Sequence, residues 1–278
     1  MEKLIITIAP TGNVPTRDLT PHAVLTNEEI VADLVKCQEL GASVAHVHVR
    51  DENLLPTSER ARYEDLLLKM DAAGLDLVRQ VSTGARGGEN TVEWRGQMLD
   101  IPQAEMASLS TGSSNFPTSP NINSPVLIKE LAMKMRDNNL KPEVEVFDVS
   151  MIAQAVHLQK KGVIPEGPIQ FNFVLNVPGS LPATPKNLMF LVDSLPEGAT
   201  WTVSGIGKSQ IQMITMAIAM GGHVRTGLED VIVYDYKTGE KATNAQLIER
   251  VVNIAKAVGR EIATPEEARE ILGIATKK

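Results

Sequence analysis

A closed barrel of eight parallel strands wrapped by eight helices, the α/β (β/α)8 or TIM barrel, is the fold this sequence predicts. Three observations predict it. Short runs of β-branched and apolar residues alternate with helical repeats along nearly the whole chain, which calls for a parallel sheet with helical crossovers. Eight such repeats occupy about 260 residues, the usual span of a closed barrel. The first strand is followed by Pro10-Thr11-Gly12-Asn13, not by the G-x-G-x-x-G turn of an open, doubly wound sheet.

The elements follow in order. Residues 4–9 read as a buried strand, stopped by Pro10. Thr26 is the N-cap of the first helix, with Glu28 and Glu29 in its first turn, where carboxylates oppose the positive helix end. Ile30, Leu34, Cys37 and Leu40 recur at helical spacing, and Gly41 ends the helix. Residues 44–50 form the second strand, 58–73 a helix closed by Gly74, and 75–82 the third strand. A weak helix at 91–99 leads to a fourth strand at 105–109 and a helix at 124–138 with Pro125 at its first position. Strands at 141–148, 169–175, 200–204 and 223–228 alternate with helices at 151–161, 185–195 and 209–220. The strong helix at 244–258 carries Leu247, Val251, Ile254 and Ala255 on one face, and Thr264-Pro265-Glu266-Glu267 opens a short last helix. No linker divides the chain, so residues 1–278 are expected to form a single barrel domain with a short C-terminal helical tail.

Composition bounds the function. The chain has 278 residues, 43% hydrophobic and 22% charged, as in an ordinary globular protein. A net charge of -7 argues against nucleic acid as a partner. The single cysteine, Cys37, excludes an intramolecular disulfide framework and reads as a buried structural thiol. No stretch approaches the ~20 apolar residues of a membrane span, and the first residues enter a strand instead of a signal-peptide core. A cytoplasmic location is the expectation.

The chemistry centres on Val44-Ala45-His46-Val47-His48-Val49-Arg50. Side chains alternate faces along a strand, so His46, His48 and Arg50 share one face, and Val47 and Val49 the other. Two imidazoles one repeat apart, roughly 6–7 Å between Cα atoms, can reach one metal ion at about 2.0–2.1 Å. A satisfied core pair would look the same, so the strand alone does not choose. A barrel narrows the choice, because its active site lies at the carboxyl-terminal rim. Strand eight neighbours strand one, and strand two lies on strand one's other side. Glu229, just past strand eight, can therefore meet His46 and His48. Two histidines, a carboxylate and an open position suit catalytic zinc, and non-haem iron accepts the same set.

Other strand ends are polar too. Arg225 and Asp230 suggest an ion pair, either in the site or as a structural bridge, with the opposite charge lowering the Asp230 pKa. Ser82, Thr83 and Ser108 can hold a carboxylate or carbonyl. Glu143 and Glu145 alternate with Val144 and Val146, as inner-shell acids or as members of a buried polar network. The turn Gly205-Ile206-Gly207-Lys208-Ser209 lies where barrels often bind anions through backbone N–H groups. Thr202 occupies the first-glycine position, so it is not a Walker A loop. His22 and His157 read as surface residues, and Met213, Met216 and Met220 as core.

Pieces along the whole chain resemble the β-keto acid cleavage enzyme family, of the 3-keto-5-aminohexanoate cleavage enzyme kind. They are Ala9-Pro10-Thr11-Gly12, His46-Val47-His48-Val49-Arg50, Val81-Ser82-Thr83-Gly84, Pro142-Glu143-Val144-Glu145, Pro185-Lys186-Asn187-Leu188, Gly205-Ile206-Gly207 and Gly221-Gly222-His223-Val224-Arg225-Thr226-Gly227-Leu228-Glu229-Asp230. The resemblance implies a zinc-bearing (β/α)8 barrel, usually a homotetramer. It implies a reaction joining a β-keto acid and acetyl-CoA to give acetoacetate and a new acyl-CoA. By position, His46, His48 and Glu229 would hold Zn2+, Arg225 and Asp230 would deprotonate or orient the substrate, and Ser82 and Ser108 would hold the keto acid, with Glu143 beside them. Ser108 stands where the described member has threonine, and Ala85 where it has glycine. Val14 stands where that member has a glutamate for the substrate's ammonium group, which implies a keto acid without a cation there. Two other readings remain: a metal-dependent aldolase, lyase or hydrolase that uses no CoA, and a catalytically silent metabolite-binding barrel.

Overall fold

Eight parallel strands close into a barrel in sequence order, the last pairing with the first. This is the expected (β/α)8 fold. They are β1 (Ile6–Ile8), β2 (Val44–Val47), β3 (Val78–Val81), β4 (Met106–Ser110), β5 (Lys141–Val146), β6 (Gln170–Leu175), β7 (Thr200–Gly205) and β8 (His223–Thr226). The computed structural model describes residues 1–84, 88–117 and 119–274. Among these, the helices are α1 (Asn27–Leu40), α2 (Arg60–Ala72), α3 (Val92–Arg95), α4 (Pro125–Asp137), α5 (Ser150–Lys160), α6 (Pro185–Asp193), α7 (Gln210–Met220), α8 (Asn244–Ala257) and α9 (Pro265–Leu272). No described helix is long and apolar enough to cross a membrane.

The helix signals act as written in the sequence. Thr26, Thr243 and Thr264 each form a capping box, the side-chain oxygen taking the N–H three residues on while Glu29, Gln246 or Glu267 reaches back. Pro125 and Pro185 sit in the first turns of α4 and α6, where the missing N–H costs nothing.

Period-two alternation divides the strands' side chains. Ile6, Ile8, Ala45, Val47, Val144 and Val146 face the helical layer and join Leu34, Leu66 and Ile214 in the main core. The interior face starts apolar: Ile5, Val44, Val78 and Met106 close the amino-terminal end with Ala263, Ala268 and Leu272. The C-terminal tail is therefore a plug. Arg269 fastens it through Glu105 (2.6 Å) and Asp76 (3.0 Å). We propose, on this shared core, that barrel and tail are one domain.

Several boundaries differ from the expectation, three of them through a break or an early stop. The second strand breaks after Val47, and Val49–Arg50 pairs antiparallel with Pro56–Thr57. His46 and His48 still converge, but Arg50 does not join them. Its guanidinium donates to the carbonyls of Gly12 (3.0 Å), Pro15 (2.9 Å) and Leu54 (3.0 Å), bracing the loop after β1. Strand β8 stops at Thr226 because Gly227, at φ 146°, packs directly on the Ala9 backbone, where any Cβ would lie 2.0 Å from the carbonyl oxygen. The expected helix at 91–99 is a single turn ended at Gly96.

His223 gives the barrel floor a pH dependence. Its Nδ1 accepts from the Ile5 N–H at 3.1 Å, and its Nε2 faces Glu2 Oε2 at 3.6 Å. Burial, with Arg260 adding to it, pushes the imidazole down to about 3. A depressed imidazole pKa means the folded state refuses a proton that the unfolded chain binds near 6.5. This contribution is complete above pH 6.5 and is lost as pH falls toward 3. In His223→Asn the amide oxygen keeps the Ile5 bond without titrating. The fall in the urea midpoint between pH 6.5 and 4.5 should be shallower in that variant than in the wild type; parallel slopes would contradict this.

Candidate active site and metal centre

The barrel's interior turns polar one layer above the floor, and the site is built there. Cα register sets His46 on β2 opposite Gln80 on β3. His46 Nδ1 lies 2.6 Å from Gln80 Oε1. A carbonyl oxygen only accepts, so Nδ1 carries the proton and Nε2 presents a lone pair. That Nε2 lies 3.1 Å from His48 Nε2. Burial, then the Arg225 charge, pushes the His46 pKa down to about 3, keeping the ring neutral.

Glu229 reaches the pair from beyond β8. Its Oε2 is 3.8 Å from His46 Nε2 and 3.5 Å from His48 Nε2. Among the described residues, this buried oxygen has no hydrogen-bond donor. The three ligand atoms lie within 4.8 Å of one another. A neutral imidazole lone pair and an unpartnered buried carboxylate oxygen converging on one point form the donor set of a divalent cation. Gly12 makes room for it: at φ +61°, a Cβ there would stand 2.4 Å from Glu229 Cγ.

Arg225 on β8 organises the acids. It grips Asp230 with two bonds, Nε to Oδ2 at 3.1 Å and Nη2 to Oδ1 at 2.8 Å. Nη2 also donates to Glu229 Oε1 at 2.7 Å, and Nη1 lies 3.5 Å from Glu145 Oε1. Burial works against ionised Glu229, but the Arg225 guanidinium holds its carboxyl well below the usual range. For Asp230 the balance differs from the sequence expectation. Burial pushes its carboxyl up, Arg225 opposes, and Glu229's charge adds to the rise. Burial likewise pushes Glu145 up to about 7.

A cavity of about 370 Å³ opens over these groups. Val14 and Ser82, both expected at the substrate, line it, as do Arg225 and Asp230. Ser82 Oγ accepts from the Gly84 N–H at 3.1 Å, and among the described residues its own proton has no acceptor. Two expected contacts are placed elsewhere. The Ser108 hydroxyl is buried behind the wall, accepting from the Thr83 N–H at 3.2 Å, and Ser110 two residues on is the β4 hydroxyl that lines the cavity. Glu143 lies one layer deeper, bonded by Asn172 (3.2 Å) and near Gln170 (3.5 Å), and Glu145 is the β5 carboxylate at the cavity. Ser108 and Glu143 pair in register one repeat below Ser110 and Glu145, on the same face. Ala85 lies outside the described residues. Sequence reasoning missed Gln80, although its place on the inward face of β3 beside His46 follows from period two. It also missed the hairpin Val233–Asp235 with Glu240–Lys241, whose Tyr236 borders the cavity.

Comparisons with known proteins show the family to which the chain belongs. The profile of the BKACE family, beta-keto acid cleavage enzyme, matches residues 3–274. A 3-keto-5-aminohexanoate cleavage enzyme of Acetoanaerobium sticklandii is 44% identical over 275 residues, 99% of each chain. A 3-oxoadipate:acetyl-CoA acetyltransferase of Cupriavidus necator is 38% identical over 273 residues, 97% of this chain and 94% of its own. Among solved structures, ObcA in ternary complex with a C4-CoA adduct and oxalate superposes with a TM-score of 0.78 at 19% identity, over 91% of this chain and 68% of ObcA, which shows a shared fold. The full-length profile match and the identity to these relatives establish that the chain is an enzyme of the β-keto acid cleavage enzyme family.

Proposed function

We propose that the protein transfers acyl groups between a β-keto acid and acetyl-CoA, releasing acetoacetate and a new acyl-CoA. The observation that carries this reading is the convergence of His46, His48 and Glu229 with the Arg225–Asp230 pair in one cavity, in a chain whose relatives include an acetyl-CoA acetyltransferase. In the balance, the acetyl group leaves sulfur for C2 of the keto acid, and the original acyl group leaves C2 for sulfur.

His46, His48 and Glu229 are the residues we assign to a zinc ion. Bound there, zinc would act as a Lewis acid toward the keto acid's oxygens. The rest falls to the chain. The Asp230 carboxylate takes the proton from C2 and returns it to C2 of acetoacetate once the original acyl group has left, and Arg225 holds Asp230 in place through two parallel bonds. The guanidinium also lowers the cost of negative charge on a nearby carbonyl oxygen in the transition state. The free Ser82 proton binds the substrate carboxylate.

The outer cavity wall is apolar: Val14, Leu19, Phe116, Pro117, Val177 and Pro178. No described side chain there offers a carboxylate for an ammonium group, so the favoured substrate carries an uncharged tail. Over a panel of β-keto acids, turnover is expected only with acetyl-CoA, with neutral tails preferred over amino-substituted ones by about tenfold or more. Turnover without CoA would favour an aldolase, lyase or hydrolase instead. Val14→Glu should move the preference toward the amino-substituted acid, and an unchanged ranking would contradict the assignment.

A cytoplasmic homotetramer is the form we propose. Exposed Met189 and Phe190 on α6 give it an apolar face to bury. Light scattering at the mass of a single 30.1 kDa chain would exclude the tetramer.

A further inference from the structure

We infer that a second groove, beside the catalytic cavity, binds the nucleotide end of coenzyme A: the adenosine, its 3′-phosphate and its diphosphate. The inference rests on the acetyl-CoA reading above, and its test separates the two.

The groove has a volume of about 550 Å³, within the range of small-molecule sites. The turn that follows β7 with the start of α7, the hairpin that follows β8, and Arg250 on α8 build it. It shares Gly207, Val231 and Tyr236 with the catalytic cavity, so a single extended ligand can occupy both. The turn is tied to the catalytic side, since the Gly207 N–H donates to the Asp230 carbonyl at 2.8 Å.

The walls match the ligand's chemistry. Lys208, Lys237 and Arg250 line the groove, and among the described residues none of the three has a carboxylate within ion-pair distance. In a chain of net charge -7, three cations without acidic partners on one groove form a local site for phosphates. Asp235 is the acid among them, and its Oδ1 is occupied by the Lys237 N–H at 2.7 Å. Arg250 is positioned in advance: its guanidinium carbon lies 3.6 Å over the Tyr234 ring, and Nη2 donates to the Tyr234 carbonyl at 2.8 Å. Tyr236, 47% exposed on the border between the cavities, offers an aromatic face on which an adenine base can stack. The acyl thioester then extends past Tyr236 and Val231 toward Arg225.

The test uses the whole protein and two probes. Adenosine 3′,5′-bisphosphate, which lacks the thioester arm, should bind the wild type in calorimetry and compete with acetyl-CoA. Lys208→Ala/Lys237→Ala should weaken that binding by at least about tenfold. The same double variant should lower the kcat/KM ratio of acetyl-CoA to acetyl-N-acetylcysteamine, a thioester without a nucleotide, by at least about tenfold. An unchanged ratio and unchanged bisphosphate affinity would overturn the groove assignment. So would bisphosphate binding that leaves the acetyl-CoA KM unaffected, the behaviour of a separate regulatory nucleotide. If the wild type turns over no acetyl-CoA, the reaction assignment fails, while calorimetry on wild type and variant still decides the groove.

Discussion

His48→Ala is expected to purify with less than about a tenth of the wild type's divalent metal and to lose on the order of a thousandfold or more in turnover. The reason is geometric. His46 Nε2 and Glu229 Oε2 would remain 3.8 Å apart, but two donors do not retain an ion that catalytic sites hold with three. The fold should survive, because the barrel strand β2 ends at Val47, before position 48. Elemental analysis beside far-UV circular dichroism checks both halves. An active, metal-free variant would refute the donor set.

Arg225→Met is the substitution with the largest expected effect on stability. The Arg225 side chain is 3% exposed and touches three carboxylates, those of Glu145, Glu229 and Asp230. Removing it leaves a buried acidic cluster without its counter-ion, a loss of about 3–5 kcal/mol. The pH dependence carries the signature. Without Arg225, burial and mutual repulsion raise all three carboxyl pKa values above their unfolded values. The folded state then binds more protons than the unfolded chain, so the variant regains stability as pH falls. Urea unfolding of chelator-treated protein at pH 8 and pH 5.5 should show a midpoint that gains more on acidification in the variant than in the wild type, where burial already pushes Glu145 up to about 7. A variant as stable as the wild type at pH 8 would contradict the role given to this residue.

The fold was legible because its signals are local and repeated. Thr26, Gly41, Pro125 and Thr264 mark helix ends whatever the tertiary context, and the strands' period-two alternation assigns faces. The convergence of His46, His48 and Glu229 was legible for a related reason: once the barrel is accepted, strand order alone brings Glu229 to His46 and His48. Depth within the barrel was not legible. Residues 108 and 110, or 143 and 145, share a face, and only the shear of the closed sheet decides which reaches the cavity. Arg50 escaped because the strand breaks at His48, a break with no glycine or proline to announce it. The Asp230 balance also needed coordinates, since burial and the Arg225 charge act in opposite directions on one carboxyl.

The most direct test of the account follows carbon. With acetyl-CoA labelled with carbon-13 at its carbonyl and an unlabelled neutral-tailed β-keto acid, NMR should find the label at the ketone carbon of acetoacetate, with unlabelled acyl-CoA formed in equal amount. Label confined to acetate or unreacted acetyl-CoA, or keto acid consumed without acetoacetate, would contradict it.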